Sequence, residues 1–304
     1  MKIGILIGLV ILTVLGGCRF SPADTKNDGH DLIVCTTSII ADCVRQLVPK
    51  NIEVVALMGA GVDPHMYKAL PNDLYLLDQA DVVIVNGLHL EAKFDAVFNE
   101  LKKSKTILTV ADDMDDRMKI NHGKKAFDPH IWFDLMIWNK GMNGIAEKLA
   151  KSFPKHKLEI ARNWVKFNNK AIACDQSLQN KLLVLPENKR VLITSHDAFS
   201  YFGRRYGFTI KSVQGMNTMI ESGLNDNKSL IDFIIGNHVS AVFIETSVSS
   251  KSIKSIQEAC KSRKHSVILG KALCSDALGD PTSKEGSYFG MLESNVDKII
   301  NALN

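Results

Sequence analysis

The sequence has no long basic run and no interleaving of basic and aromatic residues, which excludes the usual nucleic-acid-binding patterns. It has no HExxH stretch and no GxSxG turn, so neither a zinc-hydrolase helix nor a serine nucleophile elbow is present. No CxxC spacing occurs, and beyond Cys18 five cysteines remain, an odd number that leaves at least one unpaired. Most of Cys35, Cys43, Cys174, Cys260 and Cys274 read as small buried hydrophobes, with a Cys260–Cys274 disulfide left open. The uncharged run after Lys2, IGILIGLVILTVLGG, is only fifteen residues. That is short of the roughly 20 needed for a comfortable membrane span.

That run instead fits the apolar region of a secretory signal. It ends in LGGC, which resembles a bacterial lipoprotein box and makes Cys18 the expected lipidation site. Residues 1–17 read as signal peptide and 18–30 as a polar, lipidated tether. The rest of the chain is then expected outside the cytoplasm, periplasmic or at the cell surface, anchored to a bacterial membrane. The 304 residues are 45% hydrophobic and 23% charged with a net charge of +4, an ordinary globular composition with ample apolar material for a core. Length suggests about two domains.

From residue 31 onward, β-branched runs alternate with helical patterns. DLIVCTTSI, IEVVALMG, DVVIVNG and TILTVAD read as strands, with helices between them. The same order returns in RVLITSHDAF, FTIKSVQGM, SAVFIET and SVILGKAL. The fold class is therefore α/β, with two similar lobes (31–153 and 187–304), each a mainly parallel four-stranded sheet flanked by helices. Between Pro154 and Pro186, Leu158, Ala161, Trp164 and Val165 recur at helical spacing, followed by Ala171 and Ile172. A helix from about 155 to 183 would be about 40 Å long at 1.5 Å per residue. Such a stiff connector over 154–186 restrains hinge motion between the lobes.

Asp-Pro-His occurs twice, in VDPHMY (62–67) and FDPHIW (127–132). Proline keeps the residue before it out of the helical region, so each copy presents a histidine from stiff, extended backbone. In open parallel sheets ligands gather at the carboxyl ends of strands. His65 follows one strand end, His196 another in TSHDAF, and Asp276 a third in CSDALGD, while His130 lies in a short loop. Three imidazoles and a carboxylate suit a divalent transition metal. Four protein ligands close the coordination sphere, where a hydrolytic site keeps a position open for water. Asp280 remains the alternative to Asp276. Glu245, at a strand end, is a candidate to orient an imidazole. His89, His156, His238 and His265 read as surface or structural residues, and Trp132 and Trp138 as packing residues.

The segments GVDPHMYKALPND, ADVVIVNGLHLE, FDPHIWFD, SHDAFSYFGRRYGF and SDALGDPTSKEGSYFGMLESNVDKI, in this order, resemble the metal-binding solute-binding lipoproteins of bacterial ABC importers, the TroA-like group. The resemblance runs from the lipobox to the C-terminus. It implies two lobes joined by a long helix, with one metal ion buried between them on His65, His130, His196 and Asp276. It carries most of the assignment of Asp276. It also implies a cognate permease and its ATPase as partners, a monomeric receptor, and no enzymatic activity. Zinc is favoured by ligand type, with manganese and iron(II) the other candidates. A secreted metallohydrolase and a surface adhesin with a structural metal are the competing readings. Two segments depart from the family pattern: GLHLE carries His89, and MNTMIESGLNDN lacks the usual Glu-rich, Pro-containing stretch. DDMDDRMKINHGKK, with His122 as its one histidine, reads as a solvated loop.

Overall fold

The computed structural model describes residues 31–122, 126–218 and 223–304. The expected signal peptide, tether and Cys18 lie outside the described residues. Strand β1 (Leu32–Thr37) is buried along its whole length, as expected of a strand covered on both faces. It pairs in parallel with β2 (Glu53–Met58) on one side and β3 (Val82–Val85) on the other, and β3 pairs in parallel with β4 (Thr106–Thr109). The order β2-β1-β3-β4 places the reversal of winding beside β1. That reversal opens a crevice at the carboxyl ends of the strands. Helices α1 (Ser38–Leu47), α2 (Pro71–Gln79) and α3 (Asp95–Leu101) fill the connections. Thr37 caps α1 by accepting a bond from the Ile40 amide at 3.3 Å. Helix α4 (Leu135–Ser152) is capped by Asp134, which accepts from Met136 and Ile137.

The second lobe repeats the winding. Parallel pairs form between β5 (Val191–His196) and β6 (Thr209–Gln214), and between β7 (Ala241–Glu245) and β8 (Ile268–Leu273). β5 runs alongside β7, so the four strands follow one another as β6-β5-β7-β8, the order of the first lobe. The hydrogen-bonded ladders are nonetheless two pairs rather than one continuous sheet. At the carboxyl end of that seam the Glu245 side chain, not a strand backbone, takes the His196 amide at 2.9 Å. Helices α6 (Ser200–Tyr206), α7 (Leu224–Gly236), α8 (Lys251–Ser262) and α9 (Tyr288–Leu303) complete the lobe.

The long connector is present as α5 (Lys157–Leu182), 26 residues and so about 39 Å, preceded by a short 3-10 turn from Pro154. Its buried stripe differs in part from the one read from the sequence: Ala171 is on it and Trp164 packs at its edge. Ile160, Phe167, Ala171, Cys174, Leu178 and Leu182 face the core, whereas Leu158 is 80% and Val165 55% exposed. Two apolar stripes run along this helix, and spacing alone cannot choose between them. The neighbours α1, α4 and α9 decide the face. Because α5 packs against helices of both lobes, it is a spine rather than a tether. The largest hydrophobic cluster also runs through both lobes, with Phe133 stacked on Phe199 at a 4.4 Å centroid distance.

The cysteines Cys35, Cys43, Cys174, Cys260 and Cys274 are all free and buried, so the Cys260–Cys274 bridge left open above is not formed. No helix among the described residues is long and apolar enough to cross a membrane.

Candidate metal centre

His65, His130, His196 and Asp276 come together, one ligand atom of each lying within 4.8 Å of the others. All four are buried. Nε2 of His65 and Nε2 of His130 are 3.3 Å apart. Asp276 reaches His130 Nε2 at 3.4 Å with Oδ1 and His196 Nε2 at 3.3 Å with Oδ2. Each histidine therefore turns the same nitrogen inward. Asp276 Oδ1 and His196 Nε2 are buried and make no hydrogen bond among the described residues. Buried polar atoms without such partners are costly unless something else satisfies them.

The backbone around each side chain explains its aim. The loop after β2 turns at Gly61, whose φ of +69° suits a residue without a Cβ. Asp63 Oδ1 then accepts from the His65 amide at 2.8 Å. Downstream, Asp73 holds the next segment by accepting from Tyr67 Oη and the Leu70 amide. In the second copy Asp128 Oδ1 accepts from the His130 amide at 2.9 Å and lies 2.7 Å from its ring Nδ1. His196 is the last residue of β5, and Glu245, at the end of β7, lies 2.6 Å from its Nδ1. At His130 the Asp128 carboxylate on Nδ1 fixes the proton there and leaves Nε2 free as a donor, whereas Glu245 meets the His196 Nδ1 as an ion pair without hydrogen-bond alignment. Ser247 Oγ donates to Asp276 Oδ2 at 3.1 Å.

Behind His130 stands a strained turn. Leu88 and His89 follow Gly87 in the left-handed region, at φ +56° and +62°. Buried Glu91 ties that turn down, accepting from the Asn86 amide at 2.7 Å and Thr36 Oγ1 at 2.6 Å. The Asn86 side chain donates to Pro129 O at 2.9 Å, next to His130.

The electrostatics divide the histidines. Burial depresses His65 to about 3, although Asp276 pulls the other way. Burial also works against the charged form of His130, but Asp128 and Asp276 outweigh it and hold this imidazole at about 9. His196 is raised well above an ordinary histidine, with Asp276 and Glu245 overcoming burial. Asp276 is held well below the usual carboxylate range by His196 and His130, against the effect of burial.

The remaining sequence candidates fall elsewhere. Asp280 shapes a turn with Thr282, as a carboxylate before proline should. Cys274, two residues before Asp276, donates its Sγ hydrogen to Glu285. Trp132 and Trp138 are buried packing residues, and the Trp132 indole also donates to Ser275 O at 2.8 Å across the lobes. His89 contacts Asp95 at the surface. His122 is exposed, as a solvated loop requires, with Nε2 3.9 Å from both Asp128 and Asp197. Sequence reasoning missed Asp63, Asp128 and Ser247. The signal for the first two was a carboxylate two residues before each histidine, the spacing of a side chain that bonds its own downstream backbone.

A family model described as zinc-uptake complex component A, periplasmic, matches residues 33–302. The zinc-binding protein TroA of Treponema pallidum is 37% identical over 284 residues, covering 93% of this chain and 92% of that protein. The manganese-binding lipoprotein MntA of Bacillus subtilis is 37% identical over 305 residues, covering both chains completely. The solved structure of the periplasmic zinc-binding protein TroA from T. pallidum superposes with a TM-score of 0.88, covering 90% of this chain and 99% of that one. Fe(III)-bound YtgA from Chlamydia trachomatis shares the fold at a TM-score of 0.81 and 23% identity.

Proposed function

The chain belongs to the zinc-uptake complex component A family of metal-binding substrate-binding proteins, and from this premise we propose that it captures one divalent transition metal ion outside the cytoplasm and delivers it to an ABC permease. The ion is cargo, held by His65, His130, His196 and Asp276. The observation that carries this reading is the spacing of inward-facing donor atoms at 3.3, 3.3 and 3.4 Å. Ligands at about 2.0–2.2 Å from a tetrahedral metal are themselves about 3.3–3.6 Å apart.

His65 and His130 belong to the lobe of residues 31–153, His196 and Asp276 to that of 187–304. Release therefore requires the lobes to part, while the helix over 154–186 and the shared core keep that rotation small. The signal peptide of residues 1–17 would be removed, and the tether of 18–30, lipidated at Cys18, would hold a monomeric receptor at the membrane near its permease and ATPase. The protein acts by binding rather than by catalysis. The relatives lend the hydrolase and adhesin readings no support.

The relatives do not single out a metal, since a zinc-binding and a manganese-binding protein are equally similar to this chain. Three imidazoles favour zinc. Asp276 turns both oxygens inward, toward His130 and His196, so it can bind through two atoms and serve the larger coordination number of manganese or iron(II). Affinity alone cannot settle the question, because zinc outbinds both at such sites. The test uses residues 19–304, stripped of metal and reloaded anaerobically with each ion. One equivalent per chain, with a raised melting temperature, supports the reading. A folded wild-type chain that takes up no stoichiometric metal overturns it.

A further inference from the structure

The two histidine loops of the first lobe are fastened to the second lobe by different means. The His130 loop is anchored by buried aromatics: Tyr201 Oη donates to Asp128 O at 3.2 Å, and the Trp132 indole donates to Ser275 O at 2.8 Å. The His65 loop is held by smaller, half-buried groups. Asp63 receives the Thr218 hydroxyl on Oδ2 at 2.7 Å, while its Oδ1 holds the His65 amide. The second tie is a backbone bond from the Gly61 amide to Leu278 O, long at 3.3 Å. One carboxylate thus joins the far lobe to the backbone of a metal-facing histidine.

We propose that Thr218 and Asp63 form a latch that positions His65 in the closed protein, and that breaking it is the first step of metal release. The proposal rests on the metal-capture reading above. When Thr218 leaves, Asp63 is free to turn, the His65 amide loses its fixed acceptor, and the imidazole drifts from the ion. The His130 side, tied through buried aromatic groups, stays assembled. Thr218 is a positioning residue: it touches the carboxylate, not the cargo.

The test is stopped-flow zinc release from loaded residues 19–304 into an excess of fluorescent chelator, with association measured in parallel. Thr218→Val keeps the branched shape and removes the hydroxyl. Its release is expected to be roughly tenfold faster, the scale of one charge-assisted hydrogen bond. Association and the melting temperature of the metal-free protein should hardly change. Thr218→Ser, which restores the hydroxyl, should return release toward wild type. Wild-type release from Thr218→Val, in a protein that still binds one equivalent, overturns the latch and leaves the capture reading intact. Equal changes in release and association, or no rescue by serine, also overturn it. A wild-type chain that binds no zinc removes the capture reading itself.

Discussion

The two Asp-Pro-His segments share a tripeptide and a backbone turn, yet their histidines differ by several pKa units. In both, the aspartate takes the histidine amide, at 2.8 Å in the first copy and 2.9 Å in the second. Asp128 also lies against the ring of its histidine, whereas Asp63 spends its second oxygen on Thr218. Left to burial, His65 falls to about 3. With carboxylates on both sides, His130 rises to about 9. The motif fixes where an imidazole points, and burial together with the carboxylates around its ring fixes how tightly it holds a proton. Since a metal needs the neutral ring, His65 is ready for the ion at neutral pH and His130 must first give up a proton.

The comparison breaks most severely if the ligands are not equivalent partners. His130→Ala and Asp276→Ala should each abolish stoichiometric metal binding, measured as bound metal per chain after desalting. Retention of a full equivalent in either variant would remove that residue from the site. Asp128→Asn is expected to lower metal affinity about 10–100-fold, as second-sphere losses do. It should also bring the residue-130 imidazole down from about 9, read by NMR titration of the metal-free protein. Asp63→Asn should leave the His130 titration where it is.

Proton linkage gives smaller but more diagnostic effects. His130 and His196 are raised in the metal-free protein, so binding at pH 7 should release protons and affinity should fall with acid. Calorimetric heats that do not depend on the ionisation enthalpy of the buffer would contradict this. For stability without metal, the two copies have opposite signs. The raised His130 stabilises fully below about 6.5, and that contribution is lost as pH rises through about 9. The depressed His65 leaves the folded chain short of a proton that the unfolded chain gains, so stability is lost as pH falls from 6.5 toward 3. Melting curves of metal-free His130→Gln should have a shallower alkaline slope, with His196 supplying the remainder, and those of His65→Gln a shallower acidic one between 6.5 and 3. The smallest expected effect is in overall shape, because α5 and the shared core span both lobes. Small-angle scattering should show only slight compaction on loading; a large one would make the spine a hinge.

Much of this arrangement was legible in the residues. Continuous β-branched runs announced parallel, doubly covered strands, and β1 is buried throughout. Positions just past strand ends marked His65, His196 and Asp276, and the repeated Asp-Pro-His marked His130, with resemblance needed to prefer Asp276 over Asp280. Glu245 was visible as a strand-end acid, and it lies against His196. The buried face of α5 was not legible, because its two apolar stripes are distinguished only by the helices that pack on them. Nor was the seam between β5 and β7, where a glutamate side chain replaces a backbone acceptor. Thr218 gave no signal at all, since its partner Asp63 is 155 residues away.

The account rests on one metal ion shared by four side chains from two lobes. The most direct measurement is anomalous diffraction from crystals of residues 19–304 grown with zinc, with data on both sides of the zinc edge. A single strong peak is predicted between Nε2 of His65, His130 and His196 and the Asp276 carboxylate. A folded, zinc-loaded protein whose peak lies elsewhere, or touches residues of only one lobe, would contradict the account.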